Sequence, residues 1–75
     1  MNKKRRSEIS VIKSRIESAK DALSSVLDDE YEAMSEYPEN LQATDIYEVM
    51  EDSVDIMESS IDSLDGVIDS LSEII

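Results

Sequence analysis

The chain has 75 residues, of which 40% are hydrophobic and 35% charged, and its formal net charge at pH 7 is −12. It has no cysteine and no histidine, which excludes disulfide bridges and the usual zinc sites. One glycine, one proline and few β-branched runs leave no room for a sheet with its turns, so the chain is predicted to be all-α. So short a chain rarely buries enough apolar surface alone, and oligomerisation is the remaining way to bury more.

Charge is distributed unevenly along the chain. Residues 1–20 contain all seven basic residues and two acids, for a net charge of +5, whereas residues 21–75 contain seventeen acids and no base, for −17. So acidic a body is expected to repel nucleic acid and anionic membranes and to attract basic protein surfaces. No apolar signal-peptide region follows the basic start, and no stretch has membrane-spanning length. We therefore expect a cytoplasmic protein, in the cytosol of whichever cell makes it, without direct binding to nucleic acid or membrane.

The first half of the chain predicts one helix. Residues 1–6 form a basic N-terminal tail, and helix 1 is predicted over residues 7–37 with Ser7 as its N-cap. A seam, meaning the row of residues that faces another helix, takes a residue at every third or fourth position: Ile9, Ile12, Ile16, Ala19, Leu23, Val26, Glu30, Ala33 and Tyr37. Beyond Val26 this row weakens, and Leu27, Tyr31 and Met34 take over, as expected when a straight helix drifts from a seven-residue repeat. Because Pro38 disfavours helix at Tyr37, a hinge is predicted over residues 38–43.

The second half predicts a longer and cleaner helix over residues 44–75, with Thr44 or Asn40 as its N-cap. Its seam is Ala43, Tyr47, Met50, Val54, Met57, Ile61, Leu64, Ile68, Leu71 and Ile75. The two helices are roughly 46 and 48 Å long at about 1.5 Å per residue, and a short hinge makes them an antiparallel hairpin. Folding at the hinge is expected to bring Arg5, Arg6, Lys13 and Arg15 beside Asp62, Asp65, Asp69 and Glu73, which offsets the unfavourable interaction of each group with its own helix dipole.

Two surfaces of helix 2 differ sharply in charge. In heptad positions a to g, with a and d in the seam, every acid of this helix falls at e, b or f, and no base accompanies them. This acidic face is the predicted partner-binding surface: Asp45, Glu48, Glu51, Asp52, Asp55, Glu58, Asp62, Asp65 and Asp69, with Glu73 at its end. Positions c and g form an uncharged flank that predicts self-association, into a homodimer that is a four-helix bundle: Ile46, Val49, Ser53, Ile56, Ser60, Ser63 and Val67, followed by Ser70 and Ile74. The alternative is a monomeric hairpin whose flank is partly exposed.

No constellation of residues indicates catalysis or a cofactor. The chain lacks a glycine-rich phosphate loop and a nucleophile paired with a base, so it is not expected to be an enzyme. Counted as a calcium loop from Asp62, position 3 is Leu64 and position 5 is Gly66, so the ligand pattern fails and no metal is expected. The Lys-Lys-Arg-Arg run could bind phosphate, but neutralising the acidic end of helix 2 is the favoured explanation.

The hinge Tyr37-Pro38-Glu39-Asn40-Leu41-Gln42, between a basic start with its amphipathic helix and an acidic heptad helix, resembles small acidic helical-hairpin proteins of bacteriophages and prophages of Gram-positive bacteria. This resemblance implies no catalytic residue. The architecture is also similar to the plasmid RNA-binding hairpin dimer Rop, but the acidic surface argues against binding RNA. Short acidic phage proteins include inhibitors of host defence, namely DNA mimics that block restriction enzymes and anti-CRISPR proteins.

Charge density makes such a role physically reasonable. The acids from Asp45 to Glu73 span roughly 43 Å, or one charge per about 4 Å, and a DNA strand carries one about every 3.4 Å. The sequence therefore predicts a non-enzymatic inhibitor whose acidic face occupies the basic groove of a host nucleic-acid-binding protein. The alternative is a structural or assembly coiled coil whose acidity only maintains solubility, although a plain scaffold usually intersperses charges of both signs.

Overall fold

The computed structural model describes all 75 residues and contains two long helices joined by a short connection. Helix α1 spans Lys3–Ser35, a single 3-10 turn spans Glu39–Leu41, and helix α2 spans Asp45–Ser72. The helices lie side by side in a rod of 59 × 14 × 12 Å. The predicted all-α hairpin is confirmed.

Helix α1 begins earlier than predicted, at Lys3 rather than Ser7. Asn2 is the N-cap, and its side-chain oxygen accepts a hydrogen bond of 2.9 Å from the Arg5 backbone N–H. Asparagine is among the best N-cap residues because it satisfies a backbone donor that the first turn leaves without a partner. The predicted tail over residues 1–6 is therefore mostly the first turn of α1, although basic side chains there oppose the helix dipole.

The hinge follows the predicted chemistry, with small shifts in its bounds. Helix α1 ends at Ser35, two residues before the predicted end, and Pro38 has the extended ψ of 132°. Thr44 precedes α2 as its N-cap residue, but its hydroxyl donates back to the Leu41 carbonyl oxygen at 2.7 Å and does not cap the helix. The rings of Tyr37 and Tyr47 meet across the hinge, with centroids 5.6 Å apart. This contact closes the end of the hairpin.

The predicted seam of α2 is confirmed from Tyr47 to Leu71, since each of its members is buried or half-buried. Val54, at 5% exposure, is the only fully buried residue of the chain. Ala43 and Ile75, the predicted ends of this seam, are exposed. A two-helix contact can therefore shield the seam only in part, because each helix covers just one side of the other.

The predicted seam of α1 is wrong at every second position. Ile12, Ala19, Val26 and Ala33 are exposed, and the half-buried row is Ile9, Lys13, Ile16, Lys20, Leu23, Leu27, Glu30, Met34 and Tyr37. The helix is thus rotated by about 50° from its predicted orientation, half the step between successive residues. This rotation turns the bulky Leu27 and Met34 toward α2 in place of Val26 and Ala33. It also brings the aliphatic stems of Lys13 and Lys20 to the contact, while their ammonium groups pair with Glu17 and Asp65.

Two contacts fix the register of the hairpin. Lys20 pairs with Asp65 and Tyr37 with Tyr47, so the numbers of opposed residues add up to 84 or 85. Position 9 of α1 therefore lies opposite position 75, and Lys3–Arg6 extends beyond the C-terminal end of α2. The expectation that Arg5 and Arg6 lie beside the last acids of α2 is accordingly wrong, because no part of α2 is opposite them.

Candidate functional site: an acidic face and an uncharged face

The acidic face of α2 keeps its charges in water. Asp65 is half-buried, and the other nine acids of this helix are exposed: Asp45, Glu48, Glu51, Asp52, Asp55, Glu58, Asp62, Asp69 and Glu73. The two ion pairs of the structure are Lys13–Glu17, within α1, and Lys20–Asp65, between the helices. Nine of the ten carboxylates therefore have no basic partner in the chain. Arg15, which was expected beside these acids, also makes no ion pair.

The contact between Lys20 and Asp65 is the one place where the acidic face is neutralised. The Lys20 ammonium donates to Asp65 Oδ1 at 2.7 Å, and the lysine side chain is 26% exposed. This hydrogen bond raises the pKa of Lys20 above its ordinary value of 10.5, against a smaller opposing effect of partial desolvation. Asp65 thus anchors the hairpin, and it is the least available of the predicted partner-binding residues.

The uncharged flank of α2 is the most exposed apolar surface of the molecule. Ile46, Val49 and Ile56 are between 63% and 66% exposed, and Val67 is also exposed. Ser53 and Ser60 of the flank are half-buried, and Ser63 is exposed. A shallow open groove runs along its middle, lined by Asp55, Ile56, Ser59, Ser60, Ser63 and Leu64. The predicted flank thus remains uncovered in the single chain.

The exposed row of α1, Ile12, Ala19, Val26 and Ala33, extends this flank onto the other helix. On each helix this row lies to the same side of the seam. When two such helices pack antiparallel, the two rows lie on the same side of the hairpin. The register places Ile12 near the level of Ile74 and Val26 near the level of Ser60. We call the two rows together the uncharged face. The acids at positions e and b of α2 lie toward the opposite side.

The contribution of α1 to this face was missed from the sequence, because its residues were assigned to the seam. A signal was present in the residue sizes. The expectation that Leu27 and Met34 take over beyond Val26 is confirmed, since both are half-buried, but Tyr31, expected with them, is exposed. Leu27 and Met34 are larger than the residues they replace and bury more apolar area, and following their row back through the helix would have left Ile12 for another surface.

The arrangement presents two long surfaces of different charge on one hairpin. No group of three or more acidic side chains lies close enough together to hold a metal ion. Neither helix has a stretch long and apolar enough to cross a membrane. What the geometry presents is one broad face for electrostatic binding and one for apolar packing. Comparison with protein-family models, curated proteins and solved structures finds no match for the chain.

Proposed function

We propose that this protein is a non-enzymatic inhibitor that binds a basic groove on a nucleic-acid-binding protein, in the manner of the DNA mimics of phages. The observation that carries the proposal is the row of nine carboxylates on α2 that no base of the chain neutralises. Its charge spacing, one per about 5 Å, is somewhat sparser than the 3.4 Å or so of a DNA strand. The setting we propose is the cytosol of a bacterial host, with a host defence protein of the restriction or CRISPR type as the target.

We also propose that the working unit is a homodimer. The single hairpin has one fully buried residue, and its uncharged face would cost solubility if it stayed in water. Pairing through that face would leave the acidic faces of both copies outward, free for targets. Sedimentation equilibrium should give about twice the 8.4 kDa mass of the chain at tens of micromolar.

The test of the acidic face is charge reversal. A variant with lysine at Asp52, Asp55, Glu58 and Asp62 should lose the partners that the native protein captures from a host lysate, and duplex DNA should displace those partners. Raising the salt concentration should release them too, because exposed charges are screened within about 8–10 Å at physiological ionic strength. The matched control exchanges Asp and Glu at the same four positions, which keeps the charge and should keep the binding.

A structural or assembly role is the second candidate, and the exposed apolar residues Ile46, Val49 and Ile56 favour it. In that role the partner contacts run through the uncharged face, and the acids serve only solubility. Partner binding that survives both the four lysines and high salt would support this role and contradict the inhibitor. Circular dichroism of the lysine variant should show unchanged helicity, since the four side chains lie off the seam.

A further inference from the structure

The uncharged face is built so that it can be buried. Ser53, Ser60 and Ser63 donate their hydroxyl protons to backbone carbonyls of their own helix, at 2.9, 2.7 and 3.0 Å. Burying a hydroxyl without a hydrogen-bond partner is unfavourable, and these bonds remove most of that cost. The serines are small, which allows another helix to approach closely. Packing against an apolar surface is therefore open to the middle of the face, including these three polar positions.

Charge is also polarised along the long axis of the hairpin. Residues 28–55, which form about a third of the rod at its hinge end, carry eleven acids and no base, for a net charge of −11. The remaining residues carry seven bases and eight acids, for a net charge of −1. The basic turn Lys3–Arg6 extends beyond α2 and forms no ion pair in the chain. One end of the rod is thus strongly acidic, and the other presents unpaired basic groups.

Side-chain volume on the α2 flank follows the same axis. The part near the hinge has Ile46, Val49 and Ile56 with one serine, Ser53, whereas the other part has Ser60, Ser63 and Ser70 with Val67 and Ile74. If two hairpins met with both hinges at one end, the two segments of charge −11 would adjoin. If they met with opposite ends together about Ser63, Ile56 of each copy would face Ser70 of the other. Charge therefore selects the second arrangement, and the small Ser70 leaves room for Ile56 in it.

We infer that the uncharged face binds a second copy of this chain in antiparallel orientation, with the hinge of each hairpin beside the chain ends of the other. In full overlap α2 packs on α2 and α1 on α1, around a two-fold axis near Ser63. Lys3–Arg6 of each chain lies beside Glu36 and Glu39 of the second copy. The symmetric dimer thereby supplies the acidic partners that each basic turn lacks in its own hairpin.

This inference rests on the proposed homodimer but not on target binding by the acidic face. The chain has no cysteine, so one introduced cysteine carries one spin label. Labels on Asn40→Cys, at the hinge, should lie about 50 Å apart in the dimer, from roughly 35 residues at about 1.5 Å each. Labels on Ser25→Cys, on the outer side of α1 near mid-length, should lie within about 30 Å in any face-to-face dimer, because packed helices are about 8–10 Å apart.

Each outcome of the distance measurement between spin labels either supports or contradicts the inference. A distance under about 20 Å between the Asn40→Cys labels would overturn the antiparallel arrangement, because two hinges at one end are separated by only a helix diameter or two. Absence of any distance at Ser25→Cys would overturn self-association itself. Neither result bears on partner capture by the acidic face, so failure of this inference is distinguishable from failure of the proposed inhibitor.

The face is tested by substitution. Ile56→Lys should abolish both distances, and Ser14→Lys, at an exposed position of α1 away from the flank, should preserve them. Ile56→Ser introduces no charge and should still raise the dissociation constant of the dimer at least about tenfold, since each copy loses apolar contact at the interface. An unchanged dissociation constant in Ile56→Ser would show that the copies meet elsewhere and would overturn the inference.

Discussion

The Lys20 ammonium and the Asp65 carboxylate meet at 2.7 Å and join α1 to α2 across 45 positions of the chain. They form the single ion pair between the helices, in a molecule whose other cross-helix contacts are mainly apolar. The pair sits on the side of the hairpin away from the uncharged face. It therefore fixes the register of one hairpin without taking part in the proposed dimer.

This pair predicts a loss of stability at alkaline pH. The pKa of Lys20 is raised in the folded protein. The contribution of Lys20 to the free energy of unfolding is therefore complete below pH 10.5 and disappears as the pH rises through the higher pKa of the folded state. Thermal unfolding between pH 8 and pH 12 should show this decline. Lys20→Met removes the titrating group but keeps the packing stem, so its decline should be shallower.

Two adjacent residues of α1 distinguish the seam from the uncharged face. Leu27→Ala truncates a half-buried seam residue and should cost the hairpin about 2 kcal/mol, the lower end for a core leucine. Val26→Ala truncates an exposed side chain and should change the stability of a single hairpin by less than about 0.5 kcal/mol. Urea unfolding below the dissociation constant of the dimer measures both. A greater loss of stability in Val26→Ala than in Leu27→Ala would show that the seam predicted from the heptad pattern is correct.

Glu30 is a carboxylate in the seam, at the level of Val54, the one buried residue. Glu30→Leu should stabilise the protein by roughly 1 kcal/mol, because apolar area replaces a charged group at a half-buried position. Glu32→Leu, two residues along on the outer surface, is the control and should give no gain. An equal gain in both variants would indicate a general effect of helix propensity.

The N-terminal cap is testable by a second matched pair. Asn2→Ala removes the acceptor for the Arg5 N–H and should destabilise the first turn by about 1 kcal/mol. Ser7→Ala lies inside the helix and should have almost no effect. Amide hydrogen exchange of residues 5–9 reports the difference as faster exchange in Asn2→Ala alone. Faster exchange in Ser7→Ala would place the start of the helix where the sequence predicted it.

The seam of α2 was predicted correctly from the sequence because only one row of residues on this helix could form it. Acids fill one side of this helix and serines interrupt the other, so the helical period leaves a single apolar row. Helix α1 has two competing rows, which share Ile9, Ile16, Leu23, Glu30 and Tyr37. The choice between them depends on contacts across the hairpin, including the Lys20–Asp65 pair, and a pattern within one helix does not contain those contacts. For the same reason the acidic face was predicted correctly as a surface, and the apolar row of α1 was missed.

Val54 alone is shielded fully from water, so the stability of the fold should depend on the concentration of the protein. When a chain completes its core by pairing with a second copy, its folded fraction rises with its own concentration. At low concentration the chains would remain monomeric and exposed to proteases. Rapid synthesis would raise the concentration and with it the fraction of folded dimers. In the proposed dimer the dose itself would act as a switch, with no need for an additional regulator.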